Sequence, residues 1–383
     1  NLFPEGITLP RRITIDGSIK GNQKDLASTL TLKSDLTNGS IALNLTNTTD
    51  SIENIAYKAA LKFSKIELGK IIQDTAFGAV NLEAYLDGQG VDFENIESIV
   101  RANINEFTYN RYTYSELVID GKLMDKTFMG NASMNDTNLI FKFDGLVSIN
   151  DSIPEYKFKL DLEGIDMQRL NLTTNDYRIQ SAITADLTGN TIDDIVGNFQ
   201  IKGFQIKQNE EFYRIDSLLF VSFKDTANSN ISIDSDLLTG SFKGNIAFSE
   251  LGNSMKKFFR GYYNDTINSS LNRDNQKFDF ELTLRNNPIL SEILLPELQT
   301  FEGGYIKGEF NSNRDLFNVN LSVPNVNYSD VQVDSLSINV RANNRQLDYE
   351  LNLQRVSYQD YLLKNIAFYG QAENDTLTST FQQ

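Results

Sequence analysis

The side chains that most often carry chemistry are absent from this chain of 383 residues. It contains no Cys and no His, which excludes a thiolate nucleophile, an imidazole base, and zinc or iron–sulfur sites built on these ligands. Its 51 Asp and Glu residues leave carboxylate chemistry open. No catalytic pair stands out among so many acids, however, and no Trp platform for a sugar accompanies them. We therefore expect a protein that is not an enzyme and that needs no cofactor.

Two glycine-containing stretches and one acidic stretch have the residue types of ligand loops but not their spacing. Gly88-Gln89-Gly90 and Gly303-Gly304 open no strand–loop–helix unit with a Lys, so hairpin turns are a better interpretation than phosphate loops. Asp87, Asp92 and Glu94 lack the spacing of a calcium-binding EF-hand loop, which favours a solvated turn. The sequence therefore predicts no metal site.

The net charge of the chain limits the classes of binding partner that we expect. The net charge is −16, which repels phosphate backbones, so we expect no nucleic-acid partner. No apolar run approaches the ~18 residues of a membrane-spanning helix. The chain starts at Asn1 without an initiator Met, and we expect a piece of a longer protein whose anchor or export signal lies outside it.

An alternation of apolar and polar side chains runs along most of the chain. Phe278, Phe280 and Leu282 interleave with acidic neighbours, and a period of two places such apolar groups on one face of a sheet. The residues predicted to line this apolar face are Ile41, Leu43, Leu45, Tyr156, Phe158, Leu160, Ile231, Ile233, Phe278, Phe280, Leu282, Val319, Leu321, Val323, Tyr349, Leu351 and Leu353. At about 15 residues per strand and turn we expect roughly 25 strands, covering on the order of 120 Å.

The pattern repeats about every hundred residues. Leu61 to Ile71 aligns with Leu160 to Leu170, and Tyr114-Ser115-Glu116-Leu117 matches both Ile215-Asp216-Ser217-Leu218 and Val333-Asp334-Ser335-Leu336. Fixed-period similarity indicates stacked units. We predict one elongated, repeat-built segment over 1–383, with units of roughly 10–110, 111–212 and 213–327 and a partial unit over 328–383.

Three short helices are predicted. Ser64 and Glu67 have the spacing of a capping box for a helix from about Ile66 to Ile72. Asn287 and Pro288 resemble the cap and first turn of a second helix that reaches about Leu295. The third runs from about Leu251 to Tyr263, with Leu251, Met255, Phe258, Phe259 and Tyr262 in one stripe.

The third helix has two interpretations. Lys256, Lys257 and Arg260 on its polar face suit a helix that lies on a membrane. The alternative is a helix that docks its apolar stripe onto the exposed face of the sheet and leaves its charges in solvent. We favour the groove-docking helix, because the surrounding chain is acidic.

The order of strands, short helix and turn resembles the AsmA-like family, and within it the TamB proteins of the translocation and assembly module. The resemblance rests on Leu61 to Ile72 with its echo Leu160 to Leu172, on Gly78 to Ile96, and on Tyr213 to Leu218 with the following Ile231 to Asp236. It is a likeness of periodicity and turn placement from about residue 10 onward. It implies a mainly β fold: a long antiparallel sheet curled into a U-shaped groove (a β-taco, or repeating β-groove) with a few short amphipathic helices.

The same resemblance implies a function in the cell envelope. Such proteins bridge the periplasm of double-membrane bacteria, are anchored in the inner membrane, and carry phospholipid between inner and outer membranes or support outer-membrane protein assembly. It also implies possible partners beyond phospholipid, namely a TamA- or BamA-type outer-membrane barrel and inner-membrane components, through segments missing from this chain.

Transfer energetics favour lipid transport independently, and one alternative stays open. At ~0.8 kcal/mol per methylene, an acyl chain of about sixteen carbons faces roughly 12 kcal/mol in water, which an apolar groove removes. A period near 100 residues is also the size of an immunoglobulin-like domain. The alternative is therefore a structural adhesin or stalk of tandem β-sandwich domains.

Overall fold

The computed structural model describes residues 7–49, 51, 54–90, 95–150, 153–225, 228–262, 275–343, 346–373 and 376–383. The predicted fold class is confirmed: the chain is mainly β, and the described residues form 23 strands of one antiparallel sheet that is open rather than closed. The strand number is close to the roughly 25 expected from the sequence. The strands are β1 Ile13–Gly21, β2 Leu26–Ser34, β3 Thr37–Thr46, β4 Ala56–Glu67, β5 Phe77–Gln89, β6 Glu97–Tyr109, β7 Tyr112–Met124, β8 Thr127–Asp136, β9 Leu139–Ser148, β10 Glu155–Asp166, β11 Tyr177–Thr188, β12 Val196–Gln208, β13 Glu211–Lys224, β14 Ser229–Ser235, β15 Leu238–Asn245, β16 Lys277–Leu284, β17 Leu298–Phe301, β18 Gly304–Asn311, β19 Leu316–Tyr328, β20 Val331–Ala342, β21 Gln346–Tyr358, β22 Tyr361–Glu373 and β23 Thr376–Gln382.

The chain divides into two compact units. Unit 1 comprises 1–188 and 203–212, and unit 2 comprises 189–202 and 213–383. From β1 to β11 in unit 1, each strand pairs with its neighbours in the chain. Unit 2 follows the same rule from β13 to β23, except that β16 pairs with β18 and the short β17 pairs with β19.

This sequential pairing is a meander. A β-sandwich needs two facing sheets joined by Greek-key connections, in which strands distant in the chain pair with each other. No such pairing occurs among the described strands of either unit. The tandem-sandwich alternative is therefore not the fold of this chain.

A short helical or turn segment follows three strands that are six strands apart. Helix α1 (Leu68–Ile72) follows β4, a turn at residues 167–172 follows β10, and a π-helix (Ile289–Leu294) follows β16. Six strands and their turns take about a hundred residues, which accounts for the period in the sequence. The boundaries of the repeat units themselves stay a prediction.

The predicted capping box is wrong. Residue Glu67 precedes α1 without a side-chain cap bond, and the Ser64 hydroxyl donates to the Asn38 carbonyl, 3.4 Å away. Both residues are part of β4, because its pairing with β3 continues to Ile66 opposite Thr37. The echo after Leu160 folds as a turn rather than a helix. The Asn287 side chain does accept the Ile289 N–H at 2.9 Å, at the start of the π-helix.

The second repeated motif marks a kink within a strand. Glu116 and Ser335 occupy the same place in their motifs, and both have φ of +54°. In the first copy the preceding Ser115 donates its N–H to Asp136 at 3.1 Å, and in the second copy of the motif Asp216 donates to Asp236 at 2.5 Å. Irregular residues of this kind bend a strand and increase its twist. In its first and third copies the motif is therefore explained by backbone geometry, whereas Ser217, the equivalent residue of the second copy, does not have a positive φ.

Candidate functional site: the apolar face of each unit

The strand register of unit 1 aligns apolar side chains into a row that crosses ten strands. Directly opposed residues of antiparallel strands share a face of the sheet. Starting on β2 and ending on β11, successive partners are Leu30, Ile41, Leu61, Ala84, Ala102, Ile119, Ala132, Phe143, Leu160 and Ile183. Every one of them is apolar, and every one is half-buried.

The predicted lining residues of unit 1 lie on this face. Ile41, Leu43 and Leu45 are on β3, and Tyr156, Phe158 and Leu160 are on β10; all six are half-buried. A second row of directly opposed residues runs beside the first, from Leu45 on β3 to Tyr156 on β10. Its members on the strands between are Tyr57, Gly88, Ser98, Leu123, Phe128 and Val147. In unit 1 the sequence alone assigned to this face only residues on β3 and β10.

Aromatic rings and glycines alternate in the centre of the same face. The ring of Phe143 lies 6.3 Å from that of Phe128 and 5.4 Å from that of Phe158. Gly145 is directly opposite Phe158 in the register, and a Cβ at this glycine would lie 2.6 Å from the Cβ of Phe158. The glycines thus leave room for the rings, which form a continuous apolar surface.

Unit 2 has the same arrangement. One row runs from β13 to β23 through Phe220, Ile233, Gly240, Leu282, Ile306, Leu321, Ile338, Leu351, Phe368 and Phe381. Its neighbour contains Ile231, Phe242, Phe280, Gly308, Val319, Val340 and Tyr349. The predicted residues Val323 and Leu353 share this face, because Leu336 stands opposite Val323 and Ile366 opposite Leu353.

The solvent exposure of these side chains shows whether a second layer of structure covers the apolar face. Of the predicted lining residues, only Phe278 and Val319 are buried, and all the others are half-buried. At the outermost strand of unit 2 the side chains of Leu377 and Phe381 are 66% and 60% exposed. Side chains covered only by their lateral neighbours remain partly open to solvent, whereas a second layer of structure would bury them. Most of each apolar face thus lacks a covering layer within the described residues.

The opposite face is charged and carries cross-strand ion pairs. Lys58 pairs with Asp87 at 2.9 Å, and Lys142 pairs with Glu163 at 2.5 Å. The hydrogen bond and charge of Asp87 raise the pKa of Lys58, and the same bond lowers the pKa of Asp87. Exposed pairs of this kind contribute little stability. They keep this face hydrated and distinguish it from the apolar one.

At one edge of unit 1 the apolar face is closed by a small core. Leu170, in the turn after β10, is completely buried and packs with Tyr114 and Met134. Burial raises the pKa of Tyr114. The alternation of apolar and polar residues does not identify Leu170 as part of this core, because Leu170 lies in a turn and not in a strand.

A polar cluster borders this core. The Tyr112 hydroxyl donates to Asp136 at 2.5 Å, and the Ser115 hydroxyl donates to the same carboxylate at 2.9 Å. Burial alone would raise the pKa of Asp136, but hydrogen bonds from Tyr112, Asn138 and Ser115 outweigh it and lower the pKa. These hydrogen bonds satisfy the buried carboxylate of Asp136, which indicates a structural role.

Helix α2 (Phe248–Arg260) covers part of the apolar face of unit 2. It begins three residues earlier than predicted, and Phe248, outside the predicted stripe, also packs on the sheet, 5.1 Å from the ring of Phe242. Leu251, Met255 and Phe258 contact the cluster formed by Ile246, Phe278 and Phe310. Of the other predicted stripe residues, Phe259 lies 5.3 Å from Phe317, and Tyr262, just beyond the helix, is buried.

Polar contacts hold α2 at both ends and at its centre. The carboxylate of Asp193 accepts the N–H of Phe248 at 2.5 Å and the hydroxyl of Ser249. The buried Ser254 hydroxyl accepts the Gln276 side-chain amide at 2.7 Å. The Tyr262 hydroxyl donates to the Asn343 carbonyl at 2.6 Å, and burial raises the pKa of Tyr262 to about 12.

The basic side of α2 faces solvent. Lys256, Lys257 and Arg260 are exposed, while the apolar stripe lies against the sheet. In this structure the stripe is therefore not available to a membrane. No helix within the described ranges has the length and apolar character needed to cross a bilayer.

Two features of the described residues bear on small ligands. No group of three or more acidic side chains is placed to hold a metal ion in the part of the chain that the structure describes. Asp92 and Glu94 of the acidic stretch lie outside the described residues. A cleft of 120 Å³ between the π-helix and β17, lined by Asn287 and Leu290 among others, is well below the roughly 300–1,000 Å³ of typical ligand pockets.

The apolar face is thus the feature of each unit that most needs a functional explanation. It is continuous across the strands, largely half-exposed, and backed by a charged face. Comparison with known proteins adds no independent assignment. No protein-family model, no curated protein and no solved structure matches the chain.

Proposed function

We propose that this chain is a segment of a bridge that shields phospholipid acyl chains on its apolar face while they cross an aqueous compartment. The observation that carries the proposal is the unbroken apolar row from Leu30 to Ile183 in unit 1, with its counterpart from Phe220 to Phe381 in unit 2. An acyl chain lying along such a row crosses the strands and meets an apolar side chain or a glycine at each one.

The chemistry of the rows suits a sliding ligand. The residues of these rows are Leu, Ile, Val, Ala, Phe, Tyr and Gly, with Ser98 as the one other polar member, and none of them is charged. Apolar contact is non-directional and scales with the area removed from water. A lipid can therefore shift from one strand to the next with little change in contact free energy.

The half-exposure of the rows also favours this function over a purely structural one. A sheet that only had to be stable would gain by covering the apolar face with a second layer, and each half-buried Leu or Phe side chain would then add about 1 kcal/mol, the part of its full burial energy that it does not yet realise. Large exposed apolar surfaces usually mark a site that binds something. We propose acyl chains as the occupant, since the surface is extended rather than pocket-shaped.

The proposed cellular setting follows the resemblance to AsmA-like proteins. There the chain lies in the periplasm, as part of a protein anchored in the inner membrane, and moves phospholipid between the two membranes. A role in outer-membrane protein assembly, through a TamA- or BamA-type barrel, is the related proposal. For the chain itself, lipid shielding is the function that its geometry supports best.

Mass spectrometry of lipids retained by the gently purified protein tests the proposal. We expect phospholipid at several copies per chain, because each unit carries its own rows. Addition of detergent at a concentration that solubilises phospholipid should remove it. Absence of phospholipid from protein purified without detergent, and after incubation with phospholipid vesicles, would contradict the proposal.

A further inference from the structure

Helix α2 is an insertion that the sheet does not need. The strands on either side of it, β15 and β16, pair directly from Asn245 opposite Lys277 onward. Strands that meet in this way require only a tight turn, as between β7 and β8, where Met124 is opposite Thr127. The connection that contains α2 is therefore longer than the strand pairing demands, and its presence needs another reason.

Unit 1 provides an internal comparison. Six strands earlier in the chain, β9 and β10 are joined by a short connection from Ser148 to Glu155, which are themselves paired. Tyr156 then takes the place on β10 that Phe278 takes on β16. Tyr156 is half-buried, whereas Phe278 is 3% exposed beneath α2. The sheet thus folds without a covering helix at the corresponding position.

The surface beneath α2 is the most aromatic part of unit 2. The ring of Phe310 lies 5.6 Å from Phe278 and 6.2 Å from Phe317. From α2, the ring of Phe258 inserts among them, 5.5 Å from Phe310 and 5.8 Å from Phe317. The helix side chains occupy the place on this surface that a flexible apolar chain would occupy elsewhere on the face.

We propose that the strands beneath α2 form a covered acyl-chain site, and that phospholipid enters it by exchanging with the helix. The inference rests on the proposed function and deepens it, because it proposes that α2 covers these apolar strands whenever no acyl chain is bound to them. When α2 lies on Phe278, Phe310 and Phe317, these strands are closed to acyl chains. When it leaves, they join the open rows of unit 2.

The attachment of α2 fits an element that exchanges. Its contacts with the strands beneath it are made by side chains, and its polar contacts include those with Asp193 at the N-terminus and Gln276 at the centre, with Tyr262 bonded just after the C-terminus. An acyl chain can make the same kind of apolar contact with these strands as the helix side chains do. A ligand that binds one of two states shifts the population toward that state.

The absence of Cys from the chain permits a direct test. In the double variant Ser254→Cys/Gln276→Cys, a short thiol-to-thiol crosslinker would fix α2 on the sheet, since the two wild-type side chains are hydrogen-bonded. A photoreactive azidophenylalanine at Phe310 reports lipid beneath the helix, and the same group at Tyr156 reports lipid on unit 1. The double-Cys variant is prepared once with the probe at Phe310 and once with the probe at Tyr156. Each of these two proteins is irradiated with vesicles of dioleoyl phosphatidylcholine, before and after crosslinking, and lipid adducts are measured by mass spectrometry.

We expect crosslinking to abolish the Phe310 adduct and to leave the Tyr156 adduct unchanged. A second variant acts in the opposite direction without touching the apolar surface: Asp193→Ala removes the N-terminal cap of α2 and should increase the Phe310 adduct roughly fivefold. The matched control is Asp279→Ala, an exposed carboxylate on β16. Circular dichroism verifies that each variant keeps its strands.

The outcomes separate the two proposals. An adduct at Tyr156 but none at Phe310, even in Asp193→Ala, overturns the covered site and leaves the proposed function standing. An equal Phe310 adduct with and without the crosslink overturns the exchange, because lipid then reaches these strands with α2 in place. No adduct at either position overturns the proposed function and the inference with it.

Discussion

A single charge in the middle of the unit 1 row should interrupt lipid binding without unfolding the sheet. Leu160 lies on β10 between Phe143 and Ile183, is half-buried and is not covered by a helix among the described residues. In Leu160→Asp the carboxylate can stay hydrated, because the position is open on one side. We therefore expect a stability loss of only about 1–2 kcal/mol, the part of the Leu burial energy that this position realises.

The effect on lipid should be larger than the effect on stability. About four methylenes of an extended acyl chain pass each strand, given a strand spacing of ~4.8 Å, and at ~0.8 kcal/mol each they contribute about 3 kcal/mol. Loss of that contact at one strand corresponds to roughly 100-fold lower occupancy there.

Fluorescent-phospholipid binding, read together with urea unfolding, measures the two quantities in the same preparation. The matched control is Asp161→Asn, the next residue along β10, whose side chain is exposed on the charged face. The control should bind lipid as the wild type does. Undiminished binding by a folded Leu160→Asp protein, or an equal loss in the control, would refute the assignment of the face.

Three further predictions concern groups that hold the fold. Asp136 has a folded pKa below its ordinary 3.8, so it stabilises the protein above that pH and the contribution is lost as the pH falls through the folded value; urea midpoints at acid pH should depend less on pH in Asp136→Asn. Tyr262 has a pKa raised from 10.0 to about 12, so its contribution is complete below pH 10 and lost as the pH rises toward 12; at pH 11 the ultraviolet phenolate signal of folded wild type should be close to that of folded Tyr262→Phe, whereas the unfolded wild type should show one phenolate more than the unfolded variant. Gly145→Ala should lower stability by about 1–3 kcal/mol in thermal unfolding, because a Cβ there would lie 2.3 Å from the Lys157 carbonyl oxygen, whereas Gly164→Ala, with open space around it, should cost little.

The sequence predicted which side chains share a face but not which of them meet across strands. A period of two assigns Ile41 and Leu43 to one side of β3 without any knowledge of neighbours. That Ile41 stands between Leu30 and Leu61 depends on register, which turns and bulges set. The continuous rows therefore became visible only in the structure.

The helices were predicted less well, for two physical reasons. Segments of five or six residues are too short to be helical by themselves, so tertiary pairing decides their conformation; it keeps Ser64 and Glu67 in β4. Helix α2 starts at Phe248 because Asp193, 55 residues earlier in the chain, caps it. A capping residue so distant in the chain cannot be recognised from the sequence next to the helix.

Site-specific photocrosslinking along the Leu30–Ile183 row tests the central claim most directly. A photoreactive residue is placed singly at Ile41, Ile119 and Leu160 on the row, and at Asp120 and Asp161 on the opposite face, and each protein is irradiated with phospholipid vesicles. We predict phospholipid adducts at all three row positions and none at the two acidic positions. Adducts of equal yield on both faces, or none on the row, would contradict an apolar face that carries lipid.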